Sequence, residues 1–173
     1  MVNVQELQRK SIPEIIKILR IFENEDIATV DLVKLGYTLN VSILSRNFEE
    51  IRIMGEQIMG AFATNNSNGN SGIFYSDDLQ YNTARIIIVQ AFAKYIITGE
   101  NNFFITQSTN FSKREKILAN EMLMPKSQVE DVIRKLIIPS TTTLADIFQV
   151  SPKFVCKRLA ELGILTRILG YNC

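Results

Sequence analysis

The chain predicts an α+β fold in which a small antiparallel sheet packs on one central helix and a helical C-terminal third follows. Three observations carry this. Tyr37-Thr38-Leu39-Asn40-Val41-Ser42-Ile43 alternates apolar and polar residues, the period of a half-buried strand. Residues 81–98 are rich in Ile, Val, Ala and Phe, are entered through Asp77, Asp78 and Asn82, and close on Gly99, as one long buried helix does. From residue 112 to 162 helical spacing continues, interrupted only by Pro125, Pro139 and Ser151-Pro152.

The elements follow in order. Ser11-Ile12-Pro13-Glu14 is a capping box with proline just inside the helix start, and Ile15, Ile16, Ile18, Leu19 and Phe22 give the helix an apolar face. A second short helix is expected from Thr29 to Leu35, stopped by Gly36, with the alternating strand 37–43 after it. Residues 51–64 hold β-forming Ile51, Ile53, Ile58 and Phe62 but are broken by Gly55 and Gly60, so they read as strand-like. Asn65 to Gly72 is a turn-forming loop whose glycine spacing fits no phosphate-binding loop, and Ile73-Phe74-Tyr75 forms a further strand. Asn101 to Asn110 is polar with Phe103 and Phe104 embedded. Helices are then expected at about 112–124, 127–135, 142–149 and 152–161, with a short terminal strand at 165–169. No linker is long enough to separate 1–111 from 112–173, so the two parts form one unit.

Composition narrows the function classes. Apolar residues make up 46% and charged residues 21% of the 173, as in ordinary soluble domains, and the net charge of +1 creates no global field for nucleic acid or membrane. The halves differ: residues 1–111 hold 9 basic and 12 acidic side chains, and 112–173 hold 10 basic and 6 acidic, which permits a basic C-terminal surface. Cys156 and Cys173 form no C-x-x-C pair and are expected as free thiols in a reducing cytoplasm. The N-terminal residues lack the basic-then-apolar order of a signal peptide, and no apolar run approaches the ~20 residues that span a bilayer. A cytoplasmic protein with no membrane partner is expected.

The helix at 84–97 has the character of one that carries H-E-x-x-H in a zinc peptidase, but the motif positions hold Gln, Ala and Lys. With no histidine anywhere in the chain, no ordinary His-ligated zinc centre can form. Neither a metal nor another cofactor is expected.

Four segments, in order, resemble the ImmA/IrrE family of zinc metallopeptidases associated with bacterial mobile elements and stress regulation. Asp31-Leu32-Val33-Lys34-Leu35-Gly36 is similar to the family's early helix ending in a leucine-glycine step. Arg85 to Lys94 (R-I-I-I-V-Q-A-F-A-K) lines up with the family's R-F-T-x-A-H-E-x-x-H. Leu118-Ala119-Asn120-Glu121-Met122-Leu123-Met124-Pro125 resembles F-A-x-x-L-L-M-P. Leu144-Ala145-Asp146-Ile147-Phe148-Gln149-Val150-Ser151, continuing through Val155, Arg158-Leu159 and Leu162-Gly163, is similar to L-A-x-x-F-x-V-S-x-x-x-V-x-x-R-L-x-x-L-G. The last two segments are the specific part, and the resemblance covers roughly 30–165. It implies a zincin-like minimal peptidase scaffold, its sheet on the central helix 81–98, with a C-terminal helix-turn-helix-like subdomain.

The same comparison removes the chemistry. Family members hold zinc with two histidines one turn apart on one helix face and use the glutamate beside the first as general base. Those places fall on Gln90, Lys94 and Ala91. The third ligand, a glutamate thirteen residues before the motif's proline, falls on Ser112, with Glu115 nearby but off the pattern. A neutral amide is a poor ligand, an ammonium repels the cation, and Ala accepts no proton. The resemblance therefore implies a pseudo-peptidase. A residual hydrolase would need an unconventional pair such as Ser112 with a desolvated Lys94.

Thr142 to Leu162 has the pattern of two helices joined by a tight turn, with Ser151 as N-cap and Pro152 at the first helical position. Lys153, Phe154, Lys157 and Arg158 are its candidates for contacting DNA or a protein partner, although Arg158 has an alternative role in supporting the structure. The leading expectation is a regulatory module that binds a helix-turn-helix repressor of a phage or mobile element without cleaving it, an antirepressor-type activity. The alternatives are a DNA-binding regulator using 142–162 and an atypical peptidase.

Overall fold

The structure, a computed structural model, describes residues 2–19, 29–64, 69–137 and 139–164. At several helix starts side chains satisfy the free N–H groups. Asn3 accepts the Gln5 N–H at the head of α1 (Val4–Leu7). At α2 (Ile12–Leu19) the Glu14 carboxylate accepts both the Ser11 N–H (2.8 Å) and the Ser11 hydroxyl (2.6 Å). Those two bonds hold the Glu14 carboxyl below its ordinary range. Asp31 accepts the Lys34 N–H at α3 (Leu32–Leu39).

Helix α3 departs from expectation. It does not stop at Gly36 but runs four more peptides, ending where Asn40 adopts a left-handed conformation (φ 54°). Gly36 is buried inside it for a steric reason. A Cβ there would lie 2.7 Å from the Val41 carbonyl oxygen, because the chain reverses at once into the first strand. The apparent alternation of 37–43 therefore straddles a helix end and a strand start. Leu35 and Leu39, four apart, are the buried pair, and Tyr37 is exposed.

The strands are β1 (Val41–Arg46), β2 (Arg52–Ile53), β3 (Glu56–Gln57), β4 (Gly60–Thr64), β5 (Ser71–Ser76) and, after the long helix, β6 (Asn102–Ile105). β2 and β3 form a separate small hairpin, and the main sheet has the order β1-β5-β4-β6. That sheet is mixed, not antiparallel as expected. β4 runs antiparallel to β5 and β6, whereas β1 pairs with β5 in parallel, Ile43 opposite Ile73. Between β1 and β5 the chain makes the β2–β3 hairpin and β4, and such a crossover lets β5 return beside β1 in the same direction. β6 is an edge strand hidden in the polar stretch. Phe103 and Ile105 point into the core and Phe104 is exposed.

The central helix α4 (Tyr81–Thr98) ends on Gly99 at φ 69°, as the sequence predicts. It packs against β4 and β5 on one side and α1 and α5 on others. Ile87, Val89, Ala91, Phe92, Ala93 and Ile96 are all at most 2% exposed, so little of its circumference is polar. Helices α5 (Lys113–Leu123), α6 (Lys126–Lys135), α7 (Thr141–Phe148) and α8 (Pro152–Glu161) complete the chain's helical third. Among the described residues no helix is long and apolar enough to cross a membrane.

Cys156 is not a free thiol but disulfide-bonded. Phe22, the loop centre 65–68, Cys173 and the expected strand at 165–169 lie outside the described residues.

The close approach at Gly36 yields a test. Gly36→Ala gains helix propensity, yet the added methyl meets backbone and cannot rotate away, so a net loss of about 1–3 kcal/mol is expected in urea denaturation. A stabilised variant would contradict this packing.

Candidate functional site

Gln90 and Lys94 are one turn apart on α4 and lie on its least buried line. Thr83, Ile86, Gln90, Lys94 and Ile97 are all half-buried and recur at three- and four-residue spacing. Ala91 is fully buried beside that stripe. The helix face on which the resemblance would place a metal is thus the face with most access to solvent, bearing a neutral amide and an ammonium.

Lys94 has its own partners. Its Nζ lies 2.6 Å from Glu100 Oε2, just past the helix end, and 5.1 Å from the centre of the Phe103 ring. Phe103, on β6, stacks on Phe62 of β4 at 5.5 Å, and Phe62 stacks on Tyr95 of α4 at 4.3 Å. Burial pushes the Tyr95 phenol above its ordinary pKa. The three rings bind helix to sheet directly beside Lys94. Offset aromatic pairs of this kind add about 0.5–1.5 kcal/mol beyond their buried area.

Ser112 is the N-cap of α5. Its hydroxyl accepts the Glu115 N–H (3.3 Å) and its own N–H donates to Glu115 Oε2, closing a reciprocal capping box. Glu115 is only 4% exposed. The residue off the ligand pattern is therefore the cap's second half, and the spacing Ser112-x-x-Glu115 was the available signal. The hydroxyl oxygen of Ser112 accepts the Glu115 backbone N–H, and the ammonium of Lys94 pairs with the Glu100 carboxylate.

The second cluster lies on α7 and α8. Ser140 accepts the Thr143 N–H at 3.0 Å, Gln149 turns the chain at φ 52°, and Ser151 accepts the Phe154 N–H at 3.2 Å with Pro152 opening α8. Leu144, Ala145, Phe148, Val150, Val155 and Leu159 form the buried seam. Lys153 and Lys157 are exposed and Phe154 is half-buried. Arg158 faces inward, 5% exposed. Its Nε donates to the Met124 carbonyl (3.1 Å), its Nη2 pairs with Glu121, and its Nη1 lies 3.8 Å from Glu161. Arg158 therefore joins α8 to the end of α5 and is not offered to DNA or a partner. On the other side, Asn82 donates to the Val150 carbonyl (3.2 Å) and Tyr81 to Gln149 (3.2 Å), fastening the α7–α8 turn to the start of α4.

Comparison with protein-family models gave no match, and comparison with the curated proteins gave none. Function must be argued from these residues.

Two expectations separate packing from surface charge. Phe62→Ala, which removes the middle ring of the stack, is expected to cost about 3–5 kcal/mol, whereas Lys94→Ala should cost under about 1 kcal/mol because its ion pair is solvent-screened. Equal losses in thermal or urea unfolding would refute this division. On α8, Arg158→Ala should destabilise by about 2 kcal/mol or more through its buried hydrogen bonds, while Lys153→Ala and Lys157→Ala stay within about 0.5 kcal/mol.

Proposed function

We propose that the chain is a catalytically inactive relative of the ImmA/IrrE metallopeptidases and acts in the cytoplasm as a regulatory protein-binding module. Its partner on this reading is a helix-turn-helix repressor of a phage or mobile element, held without cleavage in the manner of an antirepressor. The observation that carries the proposal is the set Gln90, Ala91, Lys94 and Ser112. Every position at which the family would place a ligand or base is occupied by a residue that cannot serve, and Lys94 and Ser112 have structural partners of their own.

Two further points support it. The segments that resemble the family touch one another: Arg158, from the C-terminal motif, hydrogen-bonds the carbonyl of Met124, from the methionine-proline motif. Helix α5, which carries the second of these, packs along α4. On a scaffold of this kind binding energy comes from apolar anchors and excluded water and needs no metal.

Direct DNA recognition through 142–162 is the second reading, favoured by the exposed Lys153 and Lys157. It is weakened by the inward turn of Arg158, which leaves the face with two cations for phosphate contact.

Calorimetry of the purified chain against repressors encoded beside its gene tests the proposal. A saturable complex is expected, with the repressor intact after prolonged incubation with added zinc. Cleavage of the repressor, or no binding to any neighbouring repressor, would overturn it. In gel shifts at ~50 mM salt, where phosphate neutralisation contributes most, tight DNA binding would transfer support to the second reading.

A further inference from the structure

A groove of about 550 Å³ opens on the face of α4 away from Gln90 and Lys94, between the start of α3, strand β1 and the first turns of α4. Its walls include Val30, Leu32, Ile43, Ala84 and Ile88, and one side is formed by Arg85. Arg85 is 6% exposed. Its Nη2 donates to the Val30 carbonyl at 3.2 Å, and its Cζ lies 5.9 Å from the centre of the Tyr81 ring. Its Nε–H has no hydrogen-bond partner among the described residues, and no carboxylate there forms an ion pair with it. The acidic side chain on the groove wall, Asp31, is directed to the α3 N-terminus, where it accepts the Lys34 N–H at 3.0 Å.

A buried guanidinium ordinarily has a counter-charge, because removing it from water costs several kcal/mol. Among the described residues the fold supplies a neutral carbonyl and an aromatic face, and leaves the buried Nε–H unbonded on a side chain that lines a concave apolar wall. The volume falls within the ~300–1,000 Å³ of small-molecule sites, which are mostly apolar with a few polar groups that set orientation. We propose that this groove binds a small amphiphilic monocarboxylate, its carboxylate accepting from Arg85 and its aliphatic or aryl body lying on Val30, Ile43 and Ile88. The guanidinium fork matches a carboxylate better than it matches a hydroxyl or a cation. The rim includes Tyr81, whose hydroxyl bond to Gln149 connects the site to the turn between α7 and α8. The assignment does not rest on the partner-binding reading, since it uses Arg85 and its groove and neither Gln90 nor Lys94.

The test is methyl-detected NMR and calorimetry of the full chain with sodium decanoate, below its micelle-forming range, against decanol and decyltrimethylammonium. Decanoate should bind saturably at one equivalent and shift the Ile43 and Ile88 methyl signals, with decanol weaker by about tenfold or more, as loss of a charge-assisted bond implies. Arg85→Met should abolish the preference for decanoate over decanol. Because that variant alters a buried residue, Val33→Glu serves as the fold-safe control. Val33 is 77% exposed on the groove wall, and a carboxylate there should weaken decanoate several-fold while leaving the thermal midpoint unchanged. Decanol binding as tightly as decanoate, no saturable binding, or shifts confined to residues outside the groove would each overturn the proposal.

Discussion

Nearly everything in this molecule is arranged around the burial of α4. An 18-residue helix with buried side chains on most of its circumference must be met by apolar surface from several directions. Each fully buried Ile, Val or Phe contributes about 1.5–3 kcal/mol, so the helix is the largest single organiser of the core. The sheet supplies one wall, and β4 comes so close that a Cβ on Gly60 would stand 2.5 Å from Ile87 Cγ2. Helix α5 supplies another, its start held by the Ser112–Glu115 box. Several polar groups on α4 have partners elsewhere in the fold: Lys94 reaches Glu100 at the end, Asn82 and Tyr81 fasten the α7–α8 turn, and Arg85 donates to the Val30 carbonyl.

The C-terminal helices are tied to the same helix by polar bonds. The α7–α8 turn is bonded to the first turn of α4, and Arg158 bonds α8 to the last turn of α5. Polar contacts at both ends of the helix pair orient it, while Leu144, Phe148, Val155 and Leu159 supply its apolar seam. An arginine that looks like a nucleic-acid contact when only its charge is considered is, in place, a strut.

What could be read from the sequence follows from how local each signal is. Helix boundaries at Gly99, Pro125 and Ser151-Pro152 depend on neighbouring residues, and they were legible. Gly36 was misread as a stop because its reason, the Val41 carbonyl beside it, is visible only once the chain has turned back. The parallel pairing of β1 with β5 is likewise non-local, since alternation tells which face is buried and not which strand lies alongside. β6 spans only four residues, too few for its in-out pattern to stand out from the polar stretch around it. At the candidate site, the identities of Gln90, Ala91, Lys94 and Ser112 were plain. The partners of Lys94 were not, because Glu100 and Phe103 are assigned by packing, whereas Glu115 was signalled by the local Ser112-x-x-Glu115 spacing. The Arg85 donor that is unpaired among the described residues has no sequence signature at all.

On the proposed reading the half-buried stripe of α4 holds no metal, because an amide and an ammonium, Gln90 and Lys94, stand where the resembling family has two zinc ligands. The most direct measurement is the zinc content of the full chain, purified from zinc-supplemented culture without chelator, together with a calorimetric zinc titration. Replacement of the donors predicts far less than one zinc ion per chain and no saturable one-to-one binding. Tightly bound zinc at one ion per chain would contradict it.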